Sequence, residues 1–286
     1  MNSSERCPLF DHALNSPSAF KPEELVSSVR EARGLPELSV PAVCVFDFDG
    51  DLTDWLSSHG MATPFVPWAC FHTTMYVVEA EGIRCGLIAR TIGGPYAVLI
   101  AEQLRVSGAR LILGLTSAGR VSPSFPLPGL VVVTCAVRDE GTSLHYLPPG
   151  EDVACPTPIG NLLSDELIGL GRTVVQGSVW TTDAPYRETI EQLQRHADAG
   201  VLAVEMQAAS LFAFATARQV NIGIVAHVTN ALDHQDEQFN KGSDEDSFNI
   251  MRAMLRAGRR YLELPPVSIE QQRIVRSIGS RQQVRS

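Results

Sequence analysis

Lysine is nearly absent from this chain of 286 residues. Only Lys21 and Lys241 occur among 23 basic residues, so any lysine chemistry must use one of these two. The net charge of -9 provides no broad basic face, and nucleic acid is not an expected partner. Cys7, Cys44, Cys70, Cys85, Cys135 and Cys155 are scattered, with no C-x-x-C pair, and read as small buried hydrophobes in a reducing compartment. No His/Cys/Asp cluster has ligand spacing, so no metal is implied. No apolar stretch reaches the length of a membrane span, and the first residues lack a signal-peptide core. The expected location is the cytoplasm, with no membrane partner.

What remains is a chain that is 44% hydrophobic and 19% charged, enough to bury the core of one large α/β domain. Residues 1–36 read as a polar N-terminal extension ending in a short helix, with Pro22 at its start and Gly34 at its stop. Residues 37–268 alternate strands and helices. PAVCVFDF is a buried strand, MYVVEAEGIRCGLIAR two strands about Glu81-Gly82, and GGPYAVLIAEQLRVSGA a Gly-rich turn and helix. RLILGL is a strand followed by the small-residue turn TSAGR, and LVVVTCAVRDEG another strand. RETIEQLQRHADAG is a helix, VLAVEMQAASLFAFATARQ a short strand that becomes a long buried helix, NIGIVAHVTNA a late strand and SFNIMRAMLRAGRRYLEL a final helix. This order predicts a single α/β domain with a central mixed β-sheet flanked by helices. Residues 269–286, with four arginines and few apolar side chains, read as a disordered basic tail.

The stretch VFDFDGDL, from Val45 to Leu52, resembles the first motif of haloacid-dehalogenase-type phosphatases, in which the first Asp attacks phosphorus. That reading would require a lysine and a separate late acidic pair. Lys241 and the acids after it share one polar loop, and Asp51 stands where that family has Thr or Val. A strand followed by an acidic turn accounts for most of the pattern.

Several stretches converge elsewhere: TIGGPYAVLIAEQL (91–104), LTSAG (115–119), VRDEGTSLHY (137–146), VLAVEMQAASLFAFA (201–215) and VAHVTN (225–230). In this order and spacing they resemble the nucleoside phosphorylase/nucleosidase superfamily, closest to its uridine phosphorylase branch, over residues 41–260. The resemblance implies cleavage of an N-glycosidic bond in a nucleoside by phosphorolysis, giving free base and sugar 1-phosphate. It implies no cofactor beyond inorganic phosphate as co-substrate, and a homo-oligomer, dimer or hexamer. A hydrolytic nucleosidase and a non-catalytic nucleoside-binding relative are the alternatives.

The resemblance places the sugar on Glu205, Met206 and Gln207. Independently of it, two hydrogen-bonding side chains flanking a thioether suit a ribose. The phosphate or nucleophile pocket falls on Gly50, Thr116, Ser117 and Gly119. A hydroxyl-bearing turn after a strand, and a Gly-rich turn before a helix, both favour anions. Trp180, Tyr186 and Arg187 fall in the base pocket. Arg187 would stabilise charge on the leaving base, and Asn230 would hydrogen bond it without supplying a proton. The family's phosphate-binding arginines align with Asp54, Gly114 and Cys70. Arg90, Arg120 and Arg138 are the replacements within reach, and without them water becomes the expected nucleophile. His227 reads as a core histidine with its hydrogen bonds met, and His72 and His145 as structural.

Overall fold

The computed structural model describes residues 8–231 and 242–263. Cys7, Lys241 and the 269–286 tail lie outside the described residues. In chain order the elements are α1 (Pro22–Arg33), β1 (Val43–Asp47), α2 (Asp51–Ser58), β2 (Ala62–Pro64), β3 (Met75–Ala80) and β4 (Ile83–Ala89). Next come α3 (Gly94–Val106), β5 (Leu111–Arg120), β6 (Gly129–Asp139), β7 (Asp152–Ala154), α4 (Gly160–Ile168) and β8 (Thr173–Thr182). The series ends with α5 (Ile190–Asp198), β9 (Ala203–Glu205), α6 (Ala208–Arg218), β10 (Ile222–Ala231) and α7 (Asp244–Tyr261). This is the expected mixed α/β architecture.

One sheet organises it. β1 pairs in parallel with β4 and β5, and β5 in parallel with β10. β10 then runs antiparallel to β6, β6 parallel to β8, β8 parallel to β9, and β9 antiparallel back to β5. Those five strands close a ring, from which β1, β4, β3 and β2 extend as an open wing. Strand alternation divides the core in two. Cys44, Phe46 and Phe48 join the cluster under α3 and α6, while Val43 and Val45 join that under α2, α4 and α7. A strand buried on both faces has a continuous apolar run, as VCVF does. The N-terminal extension docks through Val26 and Val29 of α1, which pack with Ala69, and Arg33 Nη1 donates to the Cys70 carbonyl at 2.8 Å.

Two local expectations are corrected. TSAG is not a turn: β5 continues through it because β10 pairs with Thr116 to Ala118 on one side and β9 with Gly119 and Arg120 on the other. The acidic turn after β1 is the opening of α2. Asp47, 4% exposed, accepts from Gly50 N at 3.1 Å, Thr53 N at 2.8 Å and Thr53 Oγ1 at 2.7 Å. It therefore satisfies an otherwise unpaired N–H in the first turn of α2. Burial pushes its carboxyl up, against the pull of the Thr53 hydrogen bonds.

An aspartate with both oxygens committed in this way ties strand to helix and is held away from the role of a phosphatase nucleophile. Asp47→Asn should lower unfolding free energy by roughly 1–3 kcal/mol, because an amide cannot accept from all three donors. Urea denaturation checks this. An unchanged midpoint would show that the carboxylate contributes nothing to the junction, and Mg²⁺-dependent phosphomonoester hydrolysis abolished by the same variant would restore the phosphatase reading.

Candidate active site

β1 and β4 end level, at Asp47 beside Ala89, while β5, which pairs with Asp47 through Leu115, runs on to Arg120. Segments leaving parallel strands at one edge form the crevice in which α/β sheets bind ligands. Gly50 has φ +90°, and a Cβ there would lie 2.6 Å from Arg90 Cγ, so only glycine fits. Arg90, one of the three replacement arginines, thus packs against Gly50. It arrives already engaged: both terminal nitrogens bond the two oxygens of Asp54. That hydrogen bonding holds the Asp54 carboxyl below its usual range. Each side chain is more than half exposed, so the pair adds little stability but does orient the guanidinium.

The other two arginine positions have physical explanations. A Cβ on Gly114 would sit 2.8 Å from the Phe48 ring, so the core occupies that space. Cys70 is buried, and its carbonyl is tied to Arg33 of α1. Arg138 does not enter the pocket. It donates to Ser143 Oγ at 2.8 Å, Pro148 O at 2.7 Å and Leu147 O at 3.3 Å, latching the segment after β6. Arg120 ends β5 opposite Ala203.

Ser117 meets a carboxylate. Its backbone N–H donates to Asp49 Oδ2 and its hydroxyl to Asp49 Oδ1, both at 3.0 Å. Sequence reasoning missed Asp49. The β1–β5 register pairs Asp47 with Leu115, so the residues two places beyond each stand side by side, but that register is not visible in the sequence. Asp49 and Ser117 line a cavity of about 490 Å³ together with Asp47, Asp51, Thr116 and His227.

The sugar-binding candidates assemble at the junction of β9 and α6. Glu205, 4% exposed, accepts from Thr181 Oγ1 on one oxygen, and from Gln207 N at 2.7 Å and Ala208 N at 2.9 Å on the other. Burial pushes its carboxyl up to about 7 despite these three donors. Gln207 accepts from Gly93 N at 3.3 Å and donates to Thr116 Oγ1 at 3.2 Å, bridging the Gly-rich segment and β5. Met206 between them is half-buried. Gly119 pairs with Asn230 across β5 and β10, and the Asn230 amide donates to Thr229 Oγ1 at 3.1 Å.

The base-pocket expectations fare differently. Trp180 is a core residue, packed with Val121, Val201 and Val204, donating to Asp139 Oδ2 at 3.0 Å and stacked on His196. Tyr186 is 99% exposed and Arg187 is exposed beside it, on a turn that forms no enclosing wall within the described residues. His227 is not the satisfied core histidine expected. It is 4% exposed, and its Nε2 has no hydrogen-bond partner among the described residues. Burial pushes its pKa down to about 4, so the ring is neutral at ordinary pH.

Glu205 makes stability depend on pH. Its folded value lies above the unfolded one, so its bound proton favours the fold. That contribution is complete below about 4.5 and lost as pH rises through about 7. Glu205→Gln keeps the shape without the charge, so the variant should gain stability relative to the parent across this window. Denaturant midpoints at several pH values check it, and a difference that does not change with pH would assign the titration to another group.

The phosphorylase superfamily profile matches residues 42–262. The chain is 29% identical over 170 residues to the guanosine phosphorylase of Halorubrum lacusprofundi, covering 58% of this chain and 68% of that one. It is 24% identical over 207 residues to the uridine phosphorylase of Salmonella typhimurium, covering 66% and 80%. It is 25% identical over 173 residues to the uridine phosphorylase of Thermococcus kodakarensis, covering 55% and 60%. With most of its length matched, the chain belongs to the phosphorylase superfamily.

Proposed function

We propose that this protein cleaves the N-glycosidic bond of a nucleoside and transfers the sugar to phosphate, releasing free base and sugar 1-phosphate. The observation that carries the reading is the Gly93–Gln207–Thr116 bridge, which brings the sugar-binding candidates to the edge of the anion-binding segment. The relatives' names, guanosine and uridine phosphorylase, support the same reaction.

The chemistry follows a dissociative path. Glu205 and Gln207 hold ribose hydroxyls while the half-buried Met206 thioether packs on the sugar face. Gln207 exchanges its internal partners for the sugar as it binds. The C1′–N bond breaks, its electron pair leaves with the base, and a phosphate oxygen closes on C1′. The departing base is hydrogen bonded by Asn230, which cannot protonate it, and takes its proton from solvent. Arg187 reaches the base only if its exposed turn folds inward. Catalysis comes from positioning and leaving-group stabilisation, with no covalent nucleophile on the protein. Phosphate is a co-substrate, and no cofactor enters this scheme.

No helix among the described residues is long and apolar enough to cross a membrane, and we place the enzyme in the cytoplasm. Phe71, Ile92 and Leu99 are exposed apolar side chains on the segments joined by the Tyr96–His72 hydrogen bond, and their exposure supports a homo-oligomer. A second reading, hydrolysis by water, is favoured by one observation: Arg90, the cation packed against Gly50, is already paired with Asp54.

A panel of ribonucleosides assayed with and without inorganic phosphate should show faster base release when phosphate is present, with sugar 1-phosphate formed only then. Glu205→Gln should lower kcat/KM by about 10- to 100-fold, the loss of one charged hydrogen bond. Base release unchanged by omitting phosphate, with no sugar 1-phosphate formed, would establish the hydrolase. No base release from any nucleoside would leave a binding protein.

A further inference from the structure

Ser117 offers two donors from one residue to one side, and a carboxylate takes both, one oxygen to each. This is the arrangement with which a protein grips an oxyanion, and here the oxyanion is its own Asp49. The contact lies on the wall of the cavity at the strand ends and is half-buried on both sides. One residue on from Asp49, Gly50 packs against the Arg90 guanidinium, which is oriented by Asp54. The segment therefore keeps the donors of an anion site while its own acids engage them.

We propose that Asp49 is a built-in competitor of phosphate at Ser117, and so the residue that selects the acceptor of the transferred sugar. The proposal rests on the reading that this crevice transfers a nucleoside's sugar. An incoming phosphate oxygen must displace the Asp49 carboxylate from both donors and then remain close to its charge. While Asp49 holds Ser117, phosphate is bound weakly and water has access to C1′. In either outcome the C1′–N bond breaks and its electrons leave with the base, which takes a proton from solvent. With phosphate, a phosphate oxygen forms the new C1′–O bond and the product is sugar 1-phosphate. With water, the water oxygen forms that bond, its proton passes to solvent, and the product is free sugar.

The test uses the full-length protein with Asp49→Ala and Asp49→Asn. Binding of inorganic phosphate is measured by calorimetry without nucleoside, and product partition with nucleoside present. Asp49→Ala should tighten phosphate binding at least tenfold and raise the ratio of sugar 1-phosphate to free sugar. Asp49→Asn, uncharged but still able to accept from the Ser117 N–H, should fall between parent and Asp49→Ala. It carries the test if the alanine variant does not fold. Phosphate affinity unchanged or weakened in a folded variant would overturn the proposal, even if the nucleoside is cleaved. Tighter phosphate binding with no base release from any nucleoside would support the competitor and overturn the proposed reaction instead.

Discussion

The Glu205 carboxylate at the start of α6 is the contact on which the site's geometry depends. It closes the first turn of a helix whose residues Ala208 to Ala215 are all buried, so the helix cannot rotate or slide without breaking that contact. With the helix start fixed, Gln207 lies between Gly93 and Thr116 and bonds both until a sugar takes their place. A charge buried to this degree is expensive, and the raised pKa of Glu205 expresses that cost. The three donors around the carboxylate offset part of it.

The anion side follows a different logic. Members of a phosphate-using family concentrate positive charge there; this chain concentrates aspartates. Asp47 caps α2, Asp49 engages Ser117 and Asp54 orients Arg90, so three carboxylates within eight residues each have an assignable partner. The D-x-D-G pattern thereby acquires a structural meaning: one acid secures the strand-to-helix junction, the next reaches a neighbouring strand, and the glycine makes room for Arg90.

Much of this was legible in the sequence. The strands PAVCVFDF and NIGIVAHVTNA and the helices at GGPYAVLI and SFNIMRAM were visible because apolar period and Gly/Pro punctuation agree. Glu205, Met206 and Gln207 were placed correctly at a strand-to-helix passage. What failed depended on pairing. TSAG has turn-like composition but is held extended by strands on both sides, and Trp180 looks like a binding aromatic until its neighbours in the core are known. Gly114 was visible where the resemblance expects an arginine, but that the Phe48 ring leaves no room for a side chain there required the packing. The Asp49–Ser117 contact required the β1–β5 register.

A crystal structure of the protein with a bound ribonucleoside tests the central claim, that the β9–α6 junction is a sugar site. The account predicts ribose hydroxyls within hydrogen-bonding distance of Glu205 and Gln207, the Met206 thioether against the ring, and C1′ directed toward Ser117. A nucleoside bound elsewhere, with the Gly93–Gln207–Thr116 bridge intact and the Glu205 carboxylate untouched, would contradict it.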